Sequence, residues 1–285
     1  MQIRWLILLL LPLSALGAGN QVYMTDIHRS DWRFSGDKLS CKMSHEIKDY
    51  GVAHFVQKAG GQLSLSVDVK RAAIKQSSAK ILETLPAWVP GTPDPFSEQI
   101  KTAKGSQPFR LNHQQSAWML NTLENGRFGS FVYQDWDTSR YQVRVSLNAV
   151  KFRNAFGEFR ACTDRLLEYT FADINHLEIH FKSDAYLLTK KYRKRLDRIT
   201  EYLKLSSEPI NIKIYGHTDS IHTRRYNHFL SKRRANAVYQ YFLKSGIPKN
   251  RLKKRIYGEK KPLATNRTFA GRAKNRRVEL LLELG

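Results

Sequence analysis

Acidic residues and cysteines are both scarce in this chain. Its 285 residues hold 25 Asp+Glu against 48 Lys+Arg, a net charge of +23, and only two cysteines. Cys41 and Cys162 alone cannot supply the four ligands of a structural zinc site. Beyond residue 19, no run approaches the 18 or so apolar residues of a membrane helix. The sequence also lacks a Ser/His/Asp order, H-E-x-x-H and G-x-S-x-G, so hydrolysis has no visible nucleophile or zinc. Proline is sparse at nine, and four of these crowd Pro86–Pro95, which reads as an extended loop barred from any central strand.

The chain opens with one basic residue, Arg4, then an apolar run from Trp5 to Leu11, Pro12 and the small residues Ser14, Ala15, Gly17, Ala18 and Gly19. This is the pattern of a secretory signal peptide over residues 1–19. No cysteine follows the run, which argues against a lipoprotein anchor there. The mature chain is expected to be exported and soluble, in a periplasm-like compartment. In such an oxidising setting Cys41 and Cys162 either form one disulfide or stay as two buried thiols.

Length and charge suggest two domains, 20–170 and 171–285. Phe171–Gly285 carries 27 basic and 10 acidic residues, a net of +17, and the preceding 170 residues carry only +6. A basic domain attracts polyanions, and export leaves lipopolysaccharide and peptidoglycan carboxylates rather than nucleic acid. The first domain reads as antiparallel β, a barrel or sandwich. Leu63, Leu65, Val67 and Val69 alternate with polar residues, as do Tyr141, Val143, Val145 and Leu147, and Ser130–Trp136 is rich in aromatics. Trp88, Trp118 and Trp136 are assigned to its core.

The second domain alternates strand and helix. Leu177, Ile179 and Phe181 mark a strand, with Ser183 or Asp184 as cap of the next helix. The helical stripe runs through Leu188, Tyr192, Leu196, Ile199 and Leu203. Ile210, Ile212 and Ile214 lead into Gly216, assigned a conformational role. A helix follows from about Arg224 to Lys244, then strands over Leu252–Tyr257 and Val278–Leu284. The order β-α-β-α-β-β describes a two-layer α/β sandwich with a mixed sheet. The basic run Lys190–Arg195 is expected to be a solvated helix face, and His222 and His228 have no ligand spacing for a metal.

One block carries chemistry: Gly216-His217-Thr218-Asp219, then Arg234 on the following helix, then Asn275-Arg276-Arg277. A carboxylate and a guanidinium on neighbouring elements suit a zwitterionic amino acid. Asp219 could equally be a turn residue or an ion-pair partner of Arg234, and His217 is expected to support the turn. Asn227, Ala235, Gly246, Arg251, Gly258-Glu259, Pro262, Asn266 and Gly271-Arg272 complete a pattern over about 110 residues that resembles the OmpA-like peptidoglycan-binding domain. The resemblance implies that Asp219 and Arg234 hold the free end of diaminopimelate in the wall's stem peptide, with Asn227 and Arg276 as flanking donors and Asp184 approaching the pocket. Ile221 departs from the small residue that related domains carry there.

The N-terminal half narrows the family. Pro86–Gly91, Ala117–Arg127, Phe131–Trp136, Leu166-Leu167 and Tyr169–Ile174, together with the two cysteines, resemble the MotY family of periplasmic components of sodium-driven polar flagellar motors. That resemblance implies a non-enzymatic protein without cofactor. It would join the basal body as part of a ring and help recruit stator units through MotX. A general envelope-integrity protein of the OmpA family, without a motor role, is the alternative.

Overall fold

The computed structural model describes residues 20–93 and 97–285, so the expected signal peptide and Asp94–Phe96 of the proline-rich loop lie outside the described residues. The N-terminal strands are β1 (Asn20–Tyr23), β2 (Trp32–Gly36), β3 (Ser40–Ile47), β4 (Gly51–Lys58), β5 (Ser64–Val69), β6 (Ser77–Thr84), β7 (Ser97–Thr102), β8 (Phe109–Leu111), β9 (Phe128–Gln134) and β10 (Gln142–Leu147). They form two five-stranded sheets, ordered β1-β10-β9-β6-β7 and β2-β3-β4-β5-β8. All described pairings in these sheets are antiparallel except β1 with β10, which is parallel. The sheets share a core in which Phe109 of β8 packs on Phe131 and Tyr133 of β9, with ring centroids 4.8 and 5.5 Å apart. A sandwich is therefore what the alternating strands build.

Two helices interrupt this β architecture and were not anticipated. Helix α1 (His113–Glu124) starts with a capping box, Asn112 Oδ1 accepting from Gln115 N while Gln115 Oε1 accepts from Asn112 N. It buries Met119, Leu120 and Leu123. Helix α2 (Phe152–Thr163) buries Phe152, Ala155, Phe159 and Cys162 at steps of three and four. Of the three tryptophans assigned to the core, Trp136 is buried and Trp118 half-buried, but Trp88 is 58% exposed.

The C-terminal elements are α3 (Phe171–Ile174), β11 (His176–His180), α4 (Lys190–Leu205), β12 (Ile210–His217), α5 (Arg224–Lys244), β13 (Leu252–Gly258), α6 (Phe269–Asn275) and β14 (Arg277–Leu284). The four strands lie in the order β11-β14-β12-β13, with β12 parallel to β13 and antiparallel to β14. The mixed sheet is as expected, and α6 is an addition. Leu196, Ile199 and Leu203 of α4 and Ala235, Val238 and Phe242 of α5 pack on Ile179, Ile212, Ile214, Val278 and Leu280. Neither Ser183 nor Asp184 caps α4, whose N-cap is Thr189. Instead Asp184 sits in the left-handed region at φ 55°.

The chain divides into two compact units. Among the described residues, one comprises residues 20–34, Lys42–Val56 and Leu63–Phe159. The other comprises Ser35–Cys41, Gln57–Gln62 and Arg160–Gly285, so short N-terminal segments join the C-terminal fold. Within this second unit Gly60 N donates to Leu167 O, Leu167 N donates to Lys38 O, and Lys38 pairs with Glu201 at 2.9 Å. Cys41 and Cys162 form a disulfide inside it.

Candidate functional site

The parallel pair β12–β13 and the helix α5 decide where the polar block lies. β12 ends at His217, Thr218 N donates to Gly258 O at the end of β13, and Thr223 caps α5 through Tyr226 N. The chain thus turns back within six residues, and the buried face of α5 returns under the strand end carrying Ser231, Arg234 and Ala235. Gly216 permits the approach. A Cβ there would lie 2.4 Å from Ser231 O and 3.2 Å from the Ala235 Cβ, while its φ is not in the left-handed region. Its role is close packing rather than unusual backbone conformation.

Arg234 is completely buried. Its Nε donates to Ala185 O at 2.8 Å, and its two terminal nitrogens to His217 O and Lys182 O at 3.2 Å each. The guanidinium also lies 5.2 Å from the centre of the Phe181 ring. Burial pulls its pKa down to about 10, against the opposing field of Asp219, so it remains charged at neutral pH. Three main-chain carbonyls from two separate segments therefore converge on one planar fork, which leaves two of its five N–H groups outside those bonds.

Asp219 is buried too, but its ion pair is with Arg276, whose terminal nitrogen lies 3.0 Å from Oδ2. Arg276 Nε donates to Phe181 O at 3.2 Å. Asp219 Oδ1 accepts from Ile221 N at 3.4 Å, closing the turn. Thus Asp219, Arg234 and Arg276 do come together, with one negative and two positive charges. The direct Asp219–Arg234 pair entertained from sequence is replaced by Asp219–Arg276. Asn227, expected as a flanking donor, spends both amide hydrogens internally, on His222 O at 2.8 Å and Glu259 Oε2 at 2.6 Å. It braces the loop against the end of β13. Asp184 stands exposed at the rim, where it accepts from the Tyr226 hydroxyl.

Sequence reasoning missed Tyr226 and the carbonyls of Lys182 and Ala185, and it placed Glu259 in the motif without a role. Main-chain acceptors have no residue-type signature, but Glu259 follows Gly258, which takes φ +60°, and this pairing was visible. Asn275 stands in the sequence motif with no role assigned by its spacing. It is fully buried, accepting from Leu263 N and Ala264 N and donating to Ala264 O and Asn266 Oδ1. It therefore organises the loop before α6 and positions Arg276 behind it.

His217 supports the site without touching the ion pair. It is buried, stacked on Tyr257 with ring centroids 5.1 Å apart. Burial, aided by Arg277 and Lys261, pushes its pKa down to about 4. Glu279 lies 4.0 Å away. The unfolded chain takes up this proton near pH 6.5 and the folded chain only near 4. Stability is therefore fully present above pH 6.5 and falls as pH drops through that window. The loss from pH 7 to pH 5 is about 2 kcal/mol for this group. Urea midpoints at the two pH values, followed by circular dichroism, should show a smaller shift in His217→Gln; an unchanged shift would remove His217 as the cause.

A second polar row was not anticipated. Ser44 Oγ lies 2.9 Å from His54 Nδ1, and His54 Nε2 lies 3.0 Å from Asp68 Oδ2. The three stand side by side on β3, β4 and β5. In a sheet the main-chain N–H groups lie in the plane of the ladder, so none is aimed off the face to hold an oxyanion. The row is cross-strand polar pairing. Among the described residues no group of His, Cys, Asp or Glu could hold a metal ion, and no helix is long and apolar enough to cross a membrane.

Residues 23–168 match the family described as the MotY N-terminal domain, and residues 180–276 match the OmpA family. The sodium-type flagellar protein MotY of Vibrio parahaemolyticus is 30% identical over 98% of both chains. This chain belongs to the MotY family. Its β-rich half carries the MotY N-terminal match and its α/β half the OmpA match. The peptidoglycan-associated lipoprotein of Pseudomonas aeruginosa is 37% identical over 35% of this chain and 59% of its own. The solved structure of the Burkholderia pseudomallei peptidoglycan-associated lipoprotein has 30% identity and a TM-score of 0.36, covering 37% of this chain and 89% of that one.

Proposed function

We propose that this MotY-family chain is a non-enzymatic periplasmic adaptor of the polar flagellar motor. Its N-terminal half associates with the basal body as a ring component and helps recruit and retain stator units through MotX. Its C-terminal half grips peptidoglycan noncovalently by the free end of diaminopimelate. The observation that carries this reading is the buried Asp219–Arg276 pair beside Arg234, within a chain similar to MotY along nearly its whole length. The ligand's ammonium would meet Asp219. Its carboxylate would take the N–H groups of Arg234 not already given to carbonyls, exchanging some covering contacts for its own.

The test joins wall binding to swimming. Asp219→Asn removes the carboxylate charge at nearly constant shape. Full-length mature protein should lose retention on purified sacculi by more than tenfold at moderate salt. The same substitution in a swimming strain should reduce motility with an intact envelope. Normal swimming despite lost retention would sink wall anchoring as part of motor function. A leaky envelope with normal swimming would favour a general OmpA-family role instead.

A further inference from the structure

The N-terminal unit carries a groove that takes no part in the wall site. It holds about 410 Å³ and is lined by Trp88, Leu123, Phe128, Val150 and Phe152, with Lys151 and Arg153 at its mouth. Trp88 is exposed, standing edge-on to Phe128 with ring centroids 5.9 Å apart. Large indoles left in solvent over an apolar floor are typical anchors of protein interfaces, where Trp and Arg dominate the energetics.

The charge at the groove is one-sided. Among the described residues that line it, none is acidic. Lys151 and Arg153 are exposed, and neither forms an ion pair among the described residues; Arg153 makes only a 3.5 Å hydrogen bond to Glu124 O. Lys151 moreover holds φ +60°, a left-handed conformation that a non-glycine residue adopts at a cost of roughly 1 kcal/mol or more.

We infer that this groove docks an acidic peptide segment of a partner protein, with an aromatic or branched apolar side chain seated against Trp88 and flanking carboxylates meeting Lys151 and Arg153. The inference rests on the reading of the N-terminal half as the motor-docking half and gives that docking a place and a chemistry. Desolvating the partner's apolar side chain supplies affinity, and the two cations supply register and selection against basic segments.

The experiment is selection of phage-displayed random dodecapeptides on the immobilised full-length mature protein, followed by fluorescence anisotropy of the synthetic consensus peptide. Enriched peptides should carry at least two Asp or Glu around one aromatic or branched apolar residue. Trp88→Ala should weaken the consensus peptide by tenfold or more, and Lys151→Glu with Arg153→Glu by more than thirtyfold. Lys151→Gly removes the side chain and relieves its backbone conformation, so weaker binding with an equal or higher melting temperature excludes misfolding. Sacculus retention should be unchanged in all of these variants. A neutral or basic consensus, or binding indifferent to both the Trp88 and the charge-reversal variants, would overturn the inference. The selection involves no motor, so its failure would retire the groove while leaving the swimming test of the adaptor role to stand or fall separately.

Discussion

Arg234→Met is expected to abolish retention on sacculi and to destabilise the C-terminal unit by about 3 kcal/mol. Methionine fills much of the stem's space but leaves the carbonyls of Lys182, Ala185 and His217 without their donor. Each buried acceptor stranded in this way costs on the order of 1–3 kcal/mol, less whatever water recovers it. Asp219 keeps Arg276, so the pair itself survives. Arg234→Lys isolates the geometry from the charge. A single ammonium cannot serve three diverging carbonyls and a ligand carboxylate together, so retention should still fall at least tenfold. Lys191→Gln, on the exposed face of α4, lowers the net charge by as much as Arg234→Met and should leave retention within about twofold. Pull-downs at low and moderate salt, with urea titrations alongside, check all three variants. Equal, salt-sensitive losses for Arg234→Met and Lys191→Gln, with full retention in Arg234→Lys, would mean that charge alone holds the wall.

Removing the disulfide by Cys41→Ser with Cys162→Ser is expected to cost about 4–5 kcal/mol. The cysteines are 121 residues apart, and the loop-entropy account assigns about this value to a loop of such length. Both are buried, so no solvent-exposed alternative partner competes for either sulfur in the native state. For a chain of this size the loss corresponds to a melting temperature lower by roughly 10 °C or more. Melting curves of the oxidised protein, the double variant and the protein denatured and refolded under reductant should separate in that order, with the last two together. A difference below about 1 kcal/mol between the first two would show that the unfolded chain gains little freedom from losing the bond.

The sequence was most legible where one face of an element is buried and the other wet. Leu65, Val67 and Val69 in β5, Val143, Val145 and Leu147 in β10 and Ile210, Ile212 and Ile214 in β12 are buried, as period two requires. Ser146 breaks the pattern by being buried on the opposite face, where it bonds Ser130 at 2.8 Å. Helix α5 was readable because its apolar stripe is long and Gly246, at φ +86°, ends it. Helices α1 and α2 carried usable signals, the Asn112/Gln115 box and the Phe152–Ala155–Phe159–Cys162 spacing, which the surrounding strand patterns outweighed. Helix α6, at seven residues, is too short to show periodicity.

At the site, the residue types were legible and the pairing was not. Asp219 and Arg276 are 57 residues apart, and only the sheet order β14-β12, which sets the start of β14 against the end of β12, brings them together. The side chain that sequence spacing offered to Asp219, Arg234, faces main-chain carbonyls instead. A guanidinium's choice between a carboxylate and three carbonyls depends on where loop 182–185 runs, and that segment carries no turn signature beyond Asp184.

The position of the disulfide also bears on how force would pass along the chain. Most of the N-terminal unit, Lys42–Val56 and Leu63–Phe159, lies between Cys41 and Cys162, and both cysteines belong to the other unit. Covalently, that stretch is a closed ring fastened at its base. A pull on any point of the ring reaches the C-terminal body along two backbones at once, one through each cysteine. Neither backbone bears the whole tension, and unravelling one arm cannot lengthen the molecule beyond what the other arm allows. In the proposed adaptor role, such a double tether would limit extension without needing a stiff fold.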